Sequence, residues 1–202
     1  MYGLIRIFIG CIILCCINLK FKKLIKTRRH KITIATSIII FVTMLMMIPI
    51  ENLFITFNSP KKAFEYYQGK KYKVNFIVNG KNSDFVIGED HETWTYLIIP
   101  KDTKGWKIGT GINTKHILKQ THDAIRIDVY QYKNTNDYFV SILDMNGGYS
   151  QITDSFQSEF SALEQPMDVL EKTYVTYCTN IQDFTDEYWI NVNGEKIIVN
   201  AQ

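Results

Sequence analysis

AIRIDVYQY, residues 124–132, alternates along its length, with Ile125, Ile127 and Val129 on one side and Arg126, Asp128 and Tyr130 on the other. Successive side chains of an extended chain point to opposite faces, so this is the pattern of a strand with two distinct faces. The same period recurs on both sides of it. KYKVNFIV (71–78) turns through Asn79-Gly80 into SDFVIG (83–88), and TWTYLII (93–99) leads through Lys104-Gly105 into GWKIG (105–109). DYFVSILD (137–144) is expected to turn through Asn146-Gly147-Gly148 and pair with the segment around YSQIT (149–153). EYWINV (187–192) turns through Asn193-Gly194 into EKIIV (195–199), and TYVTYC (173–178) adds another strand. Asn-Gly between alternating runs is a strong hairpin signal, because both residues accept the positive φ angles of a tight turn.

Helical signals are few. In NSPKKAFEYYQG (58–69), Ser59 suits the N-cap, Pro60 the first helical position and Gly69 the stop. Residues 113–121 (NTKHILKQT) start at a capping residue after the Gly109/Gly111 pair, which predicts a second short helix. DSFQSEFSALEQP (154–166) predicts a third, with Asp154 as cap, Gln157 in the reciprocal position and Pro166 as terminator. Strands and helices do not alternate, so parallel crossovers are not expected.

The N-terminal quarter reads differently. KFKKLIKTRRHK (20–31) holds seven Lys or Arg and no acid: Lys20, Lys22, Lys23, Lys26, Arg28, Arg29 and Lys31. Residues 2–19 before it contain one charge, Arg6, and residues 32–50 after it contain none. A helix of 19 residues is about 28 Å long, close to the roughly 30 Å of a bilayer's hydrocarbon. Short loops rich in Lys and Arg stay on the cytoplasmic side. The reading is a two-pass anchor in a cell membrane, with helices over about 2–19 and 32–50 and the basic loop 20–31 inside. Anionic lipid headgroups are partners of that loop. No nucleic-acid role is needed to explain the charges.

The expected fold class is therefore α+β: an N-terminal transmembrane helical hairpin, a juxtamembrane linker at 51–57, and a mainly antiparallel β extracytoplasmic domain over 58–202 with two or three short helices. Residues 1–50 carry a net charge of +8 and the remaining 152 residues −5, so average composition describes neither part. The abundance of Lys over Arg, with much Ile and Asn, is the usage of an A/T-rich bacterial genome. Three of the four cysteines (Cys11, Cys15, Cys16) fall in the first apolar run, which leaves Cys178 alone in the outer domain and excludes an internal disulfide there.

Motifs that carry chemistry are sparse. The outer domain has no nucleophile elbow, P-loop, H-E-x-x-H or C-x-x-C. Its most polar cluster is Glu89, Asp90, His91 and Glu92, which alternate between opposite faces of an extended segment and so do not converge on one metal ion. On a helix, His116 and His122 would lie on opposite sides. Cys178 reads as a buried small hydrophobe. No cofactor is expected. The function that fits is a non-enzymatic binding, sensing or interaction domain for an envelope protein, peptide or glycan. The alternatives are a cell-envelope hydrolase using carboxylates from separate loops and an accessory subunit of a membrane complex.

Overall fold

A computed structural model of the chain describes residues 49–90, 93–146, 150–167, 172–185 and 187–200, with scattered helical positions between residues 10 and 43. Helix α1 (Pro60–Gln68) precedes β1 (Lys73–Asn79), β2 (Ser83–Asp90), β3 (Thr93–Asp102), β4 (Gly105–Trp106), β5 (Thr114–His122) and β6 (Ile125–Tyr132). There follow β7 (Tyr138–Asp144), β8 (Ile152–Asp154), β9 (Ser161–Met167), β10 (Lys172–Ile181), β11 (Trp189–Val192) and β12 (Glu195–Ile198). The fold is α+β, mostly antiparallel sheet with few short helices, and every strand pairing among the described residues is antiparallel.

Three sheets form, in the orders β1-β2-β3-β4, β5-β6-β7-β10-β9 and β12-β11-β8. Alternation explains how they stack. Ile127 and Val129 of β6 join Val140 and Ile142 of β7, Val175 of β10, Tyr188 just before β11, and Ile190 and Ile197 from the three-stranded sheet in one buried cluster. The opposite face of the same strands supplies Tyr130, Tyr132, Phe139 and Cys178, which meet Phe85, Ile87 and Ile98 of the four-stranded sheet. The outer face of that sheet gives Val86, Leu97 and Ile99 to Ala63 and Phe64 of α1. The five-stranded sheet is thus covered on both faces.

Local signals set α1 and the terminal hairpin as expected. Ser59 Oγ accepts from Lys62 N–H at the start of α1, with Pro60 in the first turn, and Gly69 closes it at φ 94°. Asn193 and Gly194 between β11 and β12 have φ 53° and 94°, the paired positive angles of a type I′ turn.

Three local expectations are corrected. Residues 113–121 are not a helix. One 3-10 turn (Gly111–Asn113) leads directly into β5, whose pairing with β6 shifts between His116 and Leu118. That bulge turns Ile117 and Leu118 toward the same core, so the strand's alternation is broken in the sequence. Residues 154–166 are not a helix either. Asp154 accepts from Phe156 and Ser158 N–H at 3.0 and 2.8 Å, but Gln157 then takes φ 56°, which no right-handed helix can follow, and the chain extends into β9. Finally, β7 and β8 do not form a hairpin, because β8 pairs with β11 in another sheet.

The expected membrane helices over 2–19 and 32–50 and the basic loop, with Lys20, Lys22, Lys23, Lys26, Arg28, Arg29 and Lys31, fall largely or wholly outside the described residues. Among the described residues no helix is long and apolar enough to cross a membrane.

Residues 50–57 lie against the domain as a strap. A 3-10 turn (Ile50–Leu53) buries Glu51, and the Asn52 side chain donates to Ile108 O at 3.0 Å and accepts from Ile108 N–H at 2.6 Å. Phe57 then pairs with Trp106 through two backbone hydrogen bonds of 2.8 and 3.0 Å. Gly109, next to this clamp, admits no side chain, since a Cβ there would lie 2.0 Å from Ile98 O.

Candidate functional site

The β5 bulge has a chemical consequence. It puts Gln120 and His122 on the face toward the three-stranded sheet, where they bond to Ile198 O and Glu195, and His116 on the face toward the four-stranded sheet. There His116 lies opposite Tyr130 and diagonal to Asp128. Its Nε2 is 3.0 Å from Asp128 Oδ1, and its ring stacks on Tyr130 at 4.8 Å with planes 17° apart. Arg126 Nε approaches Asp128 Oδ2 at 2.6 Å, and this contact holds the guanidinium above its ordinary pKa.

Strand β3 of the other sheet adds Tyr96, 4.8 Å from Tyr130, with Phe85 beneath both at 5.6 Å. Burial, then a hydrogen bond to Tyr96, raises the Tyr130 hydroxyl well above the usual phenol range, so it stays protonated as a donor. Tyr96 remains 47% exposed and the His116 side chain 43%. The result is a partly exposed patch: Tyr96, the His116 imidazole and the Arg126 guanidinium reach the surface over the buried Tyr130, Phe85 and Asp128. Exposed aromatic faces and hydrogen-bond donors of this kind are chemically able to take planar or charged groups. His116 and Asp128 resemble a base and its orienting acid, but among the described residues no hydroxyl or thiol nucleophile is hydrogen-bonded to His116.

The buried carboxylates elsewhere hold loops. Asp137 accepts from Lys81 and Asn82 N–H at 2.8 and 2.5 Å and from Ser83 Oγ at 3.1 Å, which locks the β1–β2 turn onto the five-stranded sheet. Asp84 accepts from Lys101 Nζ at 2.9 Å and the Trp106 indole at 2.5 Å. Asp144 takes Asn146 N–H at 2.9 Å and Ser150 Oγ, and Asp154 takes the Tyr188 hydroxyl at 2.9 Å besides its two amides. Desolvation by burial raises that Tyr188 hydroxyl far above the phenol range, with Asp154 adding to the shift.

Of the polar cluster read from the sequence, Glu89 and Asp90 end β2 opposite Trp94 and Thr93, and Asp90 pairs with Lys71 at 2.8 Å. His91 and Glu92 lie outside the described residues. Among the described residues no three His, Cys, Asp or Glu side chains are grouped as metal ligands. Cys178 is buried as its alternation implies, with its thiol pushed up to about 12 by desolvation and its Sγ 3.6 Å from Ser141 Oγ. A half-open depression of about 300 Å³ lies beside the end of β10, lined by Phe156, Ser158, Asn180, Ile181, Gln182 and Asp183.

The His116 grouping escaped sequence reading because a helix over 113–121 separates residues that a hairpin brings together. The usable signal is Asp123, in a left-handed turn position between TKHILKQTH (114–122) and IRIDVYQY (125–132). Nothing local joins Tyr96 to Tyr130. Comparison with protein-family models, with curated proteins and with solved structures returned no match.

Proposed function

We propose that this chain is a two-pass protein of a bacterial cell membrane. Its outer domain binds or senses an envelope protein, peptide or glycan through the Tyr96, His116 and Arg126 surface. The basic loop 20–31 faces the cytoplasm and its anionic headgroups. The observation that carries the binding reading is the distribution of polar chemistry. Four of the buried carboxylates (Asp84, Asp137, Asp144 and Asp154) are engaged with amides, hydroxyls, an indole and a lysine, whereas Tyr96, His116 and Arg126 meet solvent over the buried Tyr130 and Asp128. A hydrolase of the kind weighed from the sequence needs two carboxylates facing one cleft, and these carboxylates instead stabilise turns.

Support for the anchor comes from 19 uncharged residues over 32–50 and seven Lys or Arg in the loop before them. The described positions between 32 and 43 are helical and expose Ile32, Ile39, Ile40 and Phe41. Thr36 and Thr43 donate their hydroxyls to Ile32 O and Ile39 O at 3.0 and 2.8 Å, which satisfies them within the helix, as hydrocarbon surroundings require.

Topology is tested in intact cells with a membrane-impermeant maleimide, in a background with Cys11, Cys15, Cys16 and Cys178 replaced. Tyr2→Cys is expected to label and Lys26→Cys to stay protected until lysis. Labelling of Lys26→Cys from outside overturns the topology. For the binding face, a photo-crosslinking residue at position 96 is expected to give a discrete adduct that is lost with Arg126→Ala. Adducts only from the far sheet, at position 153, would move the recognition face.

A further inference from the structure

The strap at residues 50–57 presents two large apolar side chains to solvent. Leu53 is 78% exposed and Phe54 82%, side by side at the end of the 3-10 turn. Their exposure does not come from a loose segment. Asn52 clamps the turn to both backbone groups of Ile108, Phe54 and Ile55 N–H bond back to Glu51 O, and Phe57 is paired with Trp106. The backbone on either side is fixed, and the two side chains are held outward.

We infer that the strap is a membrane wedge. Leu53 and Phe54 enter the boundary between headgroups and acyl chains of the outer leaflet and set the orientation of the domain on the bilayer. This rests on the two-pass reading above, and the position of the pair in the chain chooses the occupant. The uncharged run ends at residue 50. Three residues of 3-10 helix advance about 6 Å, and the headgroup layer on one side of a bilayer is about 5–8 Å deep. The pair therefore emerges within that layer, where aromatic and aliphatic side chains bury apolar surface while flanking polar groups stay wet. Charge agrees with the placement. Lys107, whose Nζ bonds to Thr56 Oγ1 at 2.6 Å, and the exposed Lys104 border the strap on the segment that pairs with it, within reach of lipid phosphates.

The test uses the full chain, with its four native cysteines replaced, in phosphatidylcholine–phosphatidylglycerol vesicles. An environment-sensitive fluorophore is attached in turn at Leu53→Cys, Phe54→Cys, Ile40→Cys and Thr153→Cys. The first two are expected to be quenched at least twofold by lipid brominated near the glycerol backbone, Ile40→Cys by lipid brominated near the bilayer centre, and Thr153→Cys by neither. Quenching at residue 40 without quenching at 53 and 54 overturns the wedge and leaves the anchor standing. No quenching at residue 40 overturns both. Equal quenching at 153 means the domain lies on the lipid by another face, which also overturns the wedge.

Discussion

At the scale of single residues, Asp137 concentrates more of the fold than any local pattern around it reveals. Its carboxylate is fully buried, and its three shortest hydrogen bonds come from donors 54–56 positions earlier in the chain. Asp137→Ala would leave two amides and a hydroxyl facing a cavity, and is expected to cost about 2–4 kcal/mol in denaturant unfolding. No sequence rule points from residue 137 to residue 81. By contrast, the burial of Cys178 was legible, because alternation in TYVTYC assigns it to a face of its own strand. His122 gives a pH-dependent test. Its hydrogen bond to Glu195 raises its pKa above 6.5, although the pair is exposed and screened by solvent. The stabilisation is complete below 6.5 and is lost as pH rises through the folded value. NMR titration of the imidazole is expected to show the elevated value in the native chain and a return toward the ordinary one in Glu195→Gln.

Elements were readable where the signal and its structural cause share a few residues. The Ser59 cap, Pro60 and Gly69 define α1, and Asn193-Gly194 defines the last hairpin, because each works within one turn of chain. Reading failed where an element breaks its own period. The β5 bulge places two neighbouring apolar residues inward and hides a strand, and with it the pairing of His116 and Asp128. The Asp154 turn imitates a helix start because an aspartate accepts from following amides in both settings. Gln157 separates the two. In a left-handed turn, Gln157→Gly relieves a Cβ clash and is expected to leave stability unchanged or raise it by up to about 1 kcal/mol. In a helix the same change would lower it by about 1 kcal/mol. Thermal unfolding of the detergent-solubilised chain distinguishes these outcomes.

For the whole molecule, antiparallel α+β character was evident from hairpins and alternation, but the division into three sheets was not. The hairpin signal after β7 names a turn, not the partner of the next strand, and β8 crosses to β11 instead. Which face of β6 meets which neighbouring sheet is likewise settled by packing among distant segments, in two clusters that divide its side chains by parity. Since the five-stranded sheet is covered on both sides, its inner strands β6, β7 and β10 are expected to show the slowest amide exchange by mass spectrometry, and the short strands β4 and β8 the fastest. Comparable exchange in β7 and β8 would mean that the layers open independently. The strap at 50–57 is held to this stack by the Asn52 clamp, by Lys107 Nζ on Ile55 O and Thr56 Oγ1, and by the Phe57–Trp106 bridge with Phe57 packed on Tyr66. Tension applied to the chain before residue 50 therefore loads those few bonds first, in series, ahead of any ladder. Their release frees eight residues, at most about 3.6 Å each and so nearly 30 Å of contour length, before α1 feels the pull. Under such a load the strap is expected to detach before the long ladders of the five-stranded sheet open.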